Sequence, residues 1–251
     1  MSEIACVLGF DVTEPAELVL QIAASDGSLD APVEVTELAG RQHYLRLPPG
    51  HATISYAATV PDDRPLPPPV TPEERIVAMR PSRYCPSDRL GGFAATEFGG
   101  LGSPEATVRA IAGWVNRHLI YTVGSSGPTT DAVETLLSGA GVCRDYAHLM
   151  ATLCRAMDIP ARVAAVYAPG LFPMDFHLVV ETALDGEWRV WDATRLAPRP
   201  SLIRIAAGRD AADTALATTL SGALTMPEMS VTAVYGGDLP FDDHEGLVSL
   251  R

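Results

Sequence analysis

Three side chains that could act together in catalysis lie in the second half of the chain: Cys143, His177 and Asp192. Cys143 stands near the start of the segment GVCRDYAHLMATLCRAMDIP, residues 141–160, whose apolar spacing predicts a long helix. A helix N-terminus carries roughly half a positive charge and several unpaired N–H donors. Because a thiol at that position loses its proton more easily than a free cysteine, Cys143 is a candidate nucleophile.

A cysteine nucleophile needs a base within hydrogen-bond reach, and the sequence offers six histidines. His148 is the nearest in sequence, but five helical positions rotate it about 140° from Cys143 and raise it by about 7.5 Å. We therefore interpret His148 as a packing or surface histidine. His118 lies at the far end of another predicted helix, and three more lie in the N-terminal part or the tail: His43, His51 and His244. His177 remains as the candidate base.

A predicted hairpin brings His177 and Asp192 together. The runs FHLVVETAL and WRVWDAT flank Asp185-Gly186, which is a strong two-residue turn signal. If these two residues form the turn, Val179 pairs with Asp192, and His177 lies on the same face as a diagonal neighbour. A one-residue slip or a three-residue loop would separate them. In the predicted register Asp192 can orient the imidazole that takes the thiol proton.

The elements that must position these side chains fall into two parts. Residues 1–60 contain β-rich runs separated by turn signals, which predicts a small antiparallel sheet or sandwich. The proline-rich segment 61–75 is poorly suited to a central strand or helix, so we predict an all-β domain at residues 1–78 and a second domain at residues 79–251. In the second domain helical patterns come first and strands follow, which predicts an α+β fold.

Two further helices are predicted upstream of the candidate nucleophile. Ser103 is a candidate N-cap and Pro104 the first helical residue of one of them. Asp131 and Glu134 have capping-box spacing in the other, and Gly139 follows its end. The helix that begins at Pro104 carries one apolar stripe.

Composition excludes several classes of protein. The net charge of −13 would repel nucleic acid, and no apolar run approaches the roughly 20 residues of a membrane helix. The first residues lack the pattern of a signal peptide, so we expect a cytoplasmic protein. The four cysteines show no metal-ligand spacing, and Cys143 and Cys154 would be about 16 Å apart on one helix. Neither a zinc site nor a disulfide framework is expected.

Other polar and sulfur-bearing residues have plainer interpretations. Cys154 is expected in the core, and Cys85 is expected to be structural. Arg209-Asp210 could line a cleft, although a salt-bridged helix cap is the preferred interpretation. Asp145 is expected to stabilise the first turn of its helix through the helix dipole.

These segments resemble the transglutaminase-like, papain-related superfamily of cysteine enzymes. The resemblance is carried by GVCRDYAHL, MDIPARV, DFHLVVE and WDAT, while RPSRYCPSDRL and RIAAGRDAADTA are similar to a bacterial branch of predicted cysteine proteases. It covers roughly residues 78–225. It implies a papain/transglutaminase-like core, with helices followed by an antiparallel sheet, and a small N-terminal β-sandwich-like domain.

Position by position, the resemblance implies Cys143 as nucleophile, His177 as general base and acid, and Asp192 as the group that orients His177. The backbone N–H of Cys143 would be one oxyanion donor. The second donor is left open among three upstream aromatic residues: Tyr84, Trp114 and Tyr121. Many relatives carry His-Ala-Trp where this chain has His-Leu-Val, which bears on substrate choice more than on the triad. No metal or organic cofactor is expected.

The reaction that follows from these roles is acyl transfer through a thioester, with hydrolysis of a peptide or other amide bond as the first choice. A transglutaminase or N-acyltransferase that uses an amine acceptor is one alternative. A catalytically silent binding module is the other, although such a protein would be expected to lose one of the three site residues. The expected partner is a peptide or other amide substrate, with neither nucleic acid nor a membrane.

Overall fold

The N-terminal part of the chain forms an antiparallel sheet built around one long strand, as described by a computed structural model that covers residues 1–250. This strand, β1 (Ser2–Leu20), pairs along its first half with β5 (Gly50–Val60) and along its last residues with β4 (Gln42–Leu47). Two short strands complete this region: β2 (Ser28–Asp30) and β3 (Val35–Leu38). Alternate β1 side chains are buried in the sheet's own apolar core, as the period of a strand requires.

A strand from the far end of the chain completes this sheet. The strand β12 (Ala217–Val234) runs antiparallel to β1 from the pair Glu3 and Val234 to the pair Leu20 and Ala217. The division into residues 1–78 and 79–251 stays a prediction, but β12 lies in the N-terminal sheet rather than with the elements that precede it. Sequence patterns cannot show this pairing, because the two strands are about two hundred positions apart.

The proline-rich segment was predicted to hold no helix, and this is wrong at its end. Helix α1 (Pro72–Met79) begins after Thr71, whose side chain accepts a hydrogen bond from the Glu74 N–H while Glu74 accepts one from the Thr71 N–H. Pro72 occupies the first helical position, where a missing N–H costs nothing. A second short helix, α2 (Gly91–Phe98), has no capping side chain and was not predicted.

The three predicted helices are confirmed with their predicted starts. They are α3 (Pro104–His118), α4 (Ala132–Ser138) and α5 (Cys143–Ala156). Ser103 caps α3, Asp131 caps α4, and Gly139 ends α4 in the left-handed conformation that glycine adopts most easily. Helix α5 is the central helix, because every residue from 145 to 155 is buried.

Four strands form a second antiparallel sheet in the order β10-β9-β8-β11. Their bounds are β8 (Ala161–Tyr167), β9 (Phe176–Leu184), β10 (Glu187–Trp191) and β11 (Ile203–Gly208). Helices α2–α5 and, farther along the strands, the N-terminal sheet contact one face, and the C-terminal tail packs on the other. The Asp185-Gly186 hairpin is present in the predicted register, with Leu184 opposite Glu187.

Two short parallel strands, β6 (Ile120–Tyr121) and β7 (Ala140–Gly141), connect the ends of α3 and α4 to the start of α5. They place Tyr121 beside Gly141, two residues before Cys143. Within residues 1–250, none of the helices combines the length and the apolar character needed to cross a bilayer.

Candidate active site

Cys143 is the first residue of α5, and its side chain is partly exposed. The backbone enters the helix through Gly141, where a Cβ atom would lie 2.6 Å from the Cβ of Asp145. A side chain at position 141 would therefore collide with the residue that closes the helix start. This contact gives the glycine of the GVC motif a steric role in placing the sulfur.

The helix start is fixed by the buried carboxylate of Asp145. It accepts a hydrogen bond from the Val142 N–H at 2.8 Å and another from the Ser126 hydroxyl, and Arg144 donates to it as well. Arg144 also donates to the carbonyl of Gly127 at 2.8 Å, which binds the loop after β6 to the same point. Asp145 thus stabilises the first turn as predicted and also anchors the neighbouring loop.

His177 and Asp192 form a buried pair at the base of the β9–β10 hairpin. Asp192 follows β10 directly, and its Oδ2 lies 2.9 Å from Nε2 of His177. The other carboxylate oxygen accepts the Thr194 N–H at 2.9 Å and the Thr194 hydroxyl at 2.7 Å. Both carboxylate oxygens are therefore held, and the imidazole is fixed through Nε2.

The surroundings of this pair shift both pKa values. Burial disfavours the charged imidazolium, but the charge and hydrogen bond of Asp192, together with Cys143, outweigh burial and raise the pKa of His177 to about 10. Burial raises the pKa of Asp192, and the interactions with His177 and Thr194 overcome it, so the net pKa lies below its usual value. The arrangement favours a charged carboxylate beside a protonated imidazole.

The thiol of Cys143 lies close enough to His177 for a hydrogen bond between the two side chains to raise the imidazole pKa. Because Nε2 is engaged with Asp192, Nδ1 is the ring nitrogen left for the sulfur. The structure thus brings together all three residues that the sequence selected. They come from a helix start, a strand and the end of the neighbouring strand.

The three aromatic candidates for a second oxyanion donor lie in different places. The Tyr121 hydroxyl faces both the thiol and the backbone N–H of Cys143, and burial together with the nearby Cys143 raises the pKa of Tyr121 to about 12. Tyr84 stacks on His148 and donates its hydroxyl to the Pro128 carbonyl. Trp114 packs among aromatic rings of α2 and α3. Tyr121 is the one of the three at the nucleophile.

His148 is a packing residue, which is one of the two roles that the sequence predicted for it. It is fully buried, and burial lowers its pKa to about 4. Its Nε2 accepts the Ala211 N–H at 3.1 Å, which requires the neutral ring. Cys85 and Cys154 are both fully buried, and burial raises their pKa values to about 11 and about 12.

The preferred interpretation of Arg209-Asp210 as a helix cap is wrong in its detail. Arg209 does form an ion pair with Asp213 at 2.8 Å, but the segment consists of turns rather than a helix. Asp210 is buried and accepts the Tyr84 N–H at 3.0 Å and the Ala212 N–H at 2.9 Å. The contact with Tyr84 holds the segment 209–214 against the loop before α2, and the bond from the Ala211 N–H to His148 holds it against α5.

A cavity of about 170 Å³ lies beside Cys143 and His177. Most of its other lining residues are apolar: Ala165, Phe176, Leu178, Ile205, Ala211, Ala215 and Leu216. Polar atoms in the lining come from Arg144, Thr214 and Gln21. Gln21 directly follows β1 of the N-terminal sheet. Apart from Cys143 and His177, the sequence predicted none of this lining, because the segments meet only in the folded chain.

Residues 1–250 contain no cluster of three or more histidine, cysteine or acidic side chains arranged to hold a metal ion. The site contains a thiol, an imidazole and a carboxylate in sequence. A tyrosine hydroxyl and the N-terminus of a helix lie beside the sulfur. This is the arrangement of a thiol nucleophile with its base.

Comparison with known proteins identifies the family. The model of the transglutaminase-like superfamily matches residues 93–193, which contain all three site residues. The crystal structure of a putative cysteine protease from Cytophaga hutchinsonii is 32% identical, with a TM-score of 0.88 over 98% of this chain and 95% of that one. The chain therefore belongs to the transglutaminase-like superfamily, and its α+β fold with a transglutaminase-like core is confirmed.

Two further relatives are more distant. The periplasmic domain of TgpA from Pseudomonas aeruginosa is 21% identical, covers 71% of this chain and 68% of its own, and has a TM-score of 0.44. An uncharacterized protein of Mycobacterium leprae is 28% identical over 113 residues, which are 45% of this chain. The match spans only 39% of that curated relative.

Proposed function

We propose that the protein is a thiol-dependent acyl-transfer enzyme that hydrolyses a peptide or other amide bond. The observation that carries the proposal is the position of His177, with Asp192 2.9 Å from Nε2 and the thiol of Cys143 on its other side. Nucleophile, base and orienting group thus stand in the order that covalent acyl transfer requires. The similarity to a named cysteine protease candidate supports the same reaction class.

The first half of the proposed reaction forms a thioester. His177 takes the thiol proton, and the Cys143 sulfur attacks the carbonyl carbon of the substrate. The resulting tetrahedral intermediate collapses as the C–N bond breaks, and the imidazolium gives its proton to the leaving nitrogen. Asp192 stabilises the imidazolium and fixes the ring so that the same nitrogen serves as base and then as acid.

The second half releases the acyl group to water. His177 removes a proton from a water molecule as the oxygen attacks the thioester carbonyl. The C–S bond then breaks, the product leaves as a carboxylic acid, and the imidazolium returns its proton to the departing sulfur. The bond made to water replaces the bond to sulfur, so the enzyme is unchanged after each cycle.

Both tetrahedral intermediates carry a negative oxygen that needs hydrogen-bond donors. The backbone N–H of Cys143 is one donor in the proposal, and its place at the N-terminus of α5 adds the favourable end of the helix dipole. The Tyr121 hydroxyl is the second donor, since it faces that N–H and the sulfur. The two donors thus converge on the point where the oxyanion forms.

The pH dependence of iodoacetamide labelling at Cys143 tests the proposal. Wild-type protein is expected to label well below pH 8, because His177 withdraws the thiol proton and stays protonated up to a pKa of about 10. The His177→Ala variant is expected to label only as an ordinary thiol near pH 8.5. Mass spectrometry of the digested protein locates the label among the four cysteines.

A His51→Ala variant is the matched control, because His51 is exposed on the N-terminal sheet and pairs with Asp11. It should keep the wild-type labelling profile. If Cys143 labelled only near pH 8.5 in both wild type and His177→Ala, the proposal would be wrong.

The acyl acceptor is tested separately, with water as the proposed acceptor and an amine as the alternative. A glutamine peptide is incubated with and without a labelled primary amine, and the products are resolved by mass. Because the chain contains no lysine, its own side chains offer no primary amine that would obscure the result. Hydrolysed peptide without amine incorporation supports water, whereas stable incorporation would identify an amine-accepting enzyme.

A further inference from the structure

The cavity beside Cys143 is suited to hold part of a substrate. Cys143 and His177 both line it, so a group bound inside it lies next to the carbonyl that the sulfur attacks. Its other walls are mainly aliphatic side chains and one phenyl ring, from Phe176. A pocket of this kind favours an apolar group, because placing a polar or charged group there would cost hydrogen bonds to water.

The volume of the cavity limits the size of its occupant. An apolar protein cavity of about 150 Å³ is known to hold a benzene ring. The present cavity of about 170 Å³ therefore has room for an aliphatic or phenyl side chain.

The N-terminal sheet supplies one wall of this cavity. Gln21 follows β1, and its backbone N–H donates to the Leu216 carbonyl at 2.9 Å, immediately before β12. Both residues line the cavity. Among residues 1–250 the side-chain amide of Gln21 has no hydrogen-bond partner, so it is free to bond the main chain of a bound substrate.

We propose that this cavity is a substrate side-chain pocket that takes one aliphatic or phenyl side chain adjoining the attacked bond, with Gln21 and Leu216 making the N-terminal sheet part of its wall. The inference rests on the proposed thiol chemistry of Cys143 and adds to it the class of substrate. It gives the N-terminal sheet a direct part in substrate selection.

Chloroacetamide reagents test the pocket without a known substrate. In each reaction the Cys143 thiolate forms a C–S bond and displaces chloride, so only the group on the amide nitrogen differs between reagents. We compare chloroacetamide with its N-isobutyl, N-benzyl and N-(carboxymethyl) forms, and divide each rate by the rate with glutathione. The N-isobutyl and N-benzyl reagents are expected to react about tenfold faster or more, because burying a group of that size is favourable.

Two substitutions fill the pocket, Ala215→Leu and Gln21→Trp, and they lie close together because the Gln21 N–H donates to the Leu216 carbonyl. Each is expected to abolish the preference for the N-isobutyl and N-benzyl reagents, measured as the ratio of each rate to the rate of the same variant with plain chloroacetamide. Ala212→Leu is the matched control, since Ala212 is exposed on the same segment and lies outside the cavity lining. It should keep the wild-type preference.

The outcomes separate the two proposals. Labelling that depends on His177 but shows no preference among the reagents, or a preference that survives both filling substitutions, overturns the pocket and leaves the thiol chemistry standing. A Cys143 that reacts no faster than glutathione with every reagent, and does so equally in His177→Ala, overturns the proposed function itself. A preference lost in both filled variants and kept in Ala212→Leu supports the pocket.

Discussion

The two ends of α5 carry the same residue type in opposite environments. Cys143 begins the helix, partly exposed, with an imidazole and a tyrosine hydroxyl against its sulfur. Cys154 lies near the other end, fully buried among apolar side chains that raise the pKa of its thiol to about 12. The surroundings of a thiol on this helix therefore depend on its position, since the residue type and the helix are shared.

The arginines at the two ends differ in the same way. Arg144 is partly exposed and lies in the wall of the cavity, although it also anchors Asp145. Arg155 is buried and donates to the carbonyls of Ala161, Arg80 and Arg209, which come from three separate segments. The N-terminal end of the helix lines a cavity, whereas the C-terminal end holds the core together.

The largest expected difference between the ends comes from removing each sulfur. Cys143→Ala should lower the release of nitrophenolate from a p-nitrophenyl ester by about 10⁴-fold or more, because no other group can form the thioester. Cys154→Ala should keep the wild-type rate and lower only the free energy of unfolding. Equal rates of nitrophenolate release in the two variants would show that the Cys143 thiol is not the nucleophile.

Asp192→Ala should lower the same rate by about 10²- to 10⁴-fold, because the imidazole loses the group that orients it. The substitution should also lower the pKa of His177, since Asp192 is a main cause of its rise, so the ring loses its proton at a lower pH. Kinetics and NMR titration of the ring measure the two effects. Asp213→Ala, a carboxylate paired with Arg209 away from the thiol, should change neither.

Arg155→Met should lower the free energy of unfolding by about 3 kcal/mol, because it leaves several buried carbonyls without a donor. Urea denaturation measures the change. Below the unfolding transition the labelling rate at Cys143 should stay near wild type. Arg117→Met, at an exposed position in the last turn of α3, should have little effect on stability. A large loss of labelling with unchanged stability would contradict the division between the two ends.

Tyr121→Phe should slow the reaction with the p-nitrophenyl ester by about ten- to hundredfold, because one oxyanion donor is lost. It should leave alkylation by iodoacetamide unchanged, since that reaction passes through no oxyanion. Tyr84→Phe removes a hydroxyl that bonds to Pro128 and should alter neither reaction. If Tyr121→Phe slowed both reactions equally, the hydroxyl would act on the sulfur rather than on the oxyanion.

Local sequence signals predicted the parts of the site that depend on local rules. The start of α5, its first-turn acid and the Asp185-Gly186 hairpin each follow from a cap, a turn or a two-residue period. The hairpin makes His177 a diagonal neighbour of Asp192 on one face. The sequence does not predict helix α1, because proline inside a segment usually ends a helix. Pro72, however, occupies the first helical position, where proline is favourable.

The rest depends on contacts between distant segments. Nothing in the local sequence distinguishes Tyr121 from Tyr84, because their difference arises from the pairing of β6 with β7. The cavity draws on residues as far apart as Gln21 and Leu216. Such contacts are fixed by packing of the whole chain, which local patterns do not encode.

The pairing of β1 with β12 makes the papain-like part of the molecule, topologically, an insertion between two strands of one sheet. A shortened protein that stops before residue 217 would leave one long edge of β1 with unpaired N–H and C=O groups. Such an exposed strand edge favours self-association. Attempts to excise the transglutaminase-like segment should therefore retain both flanking strands.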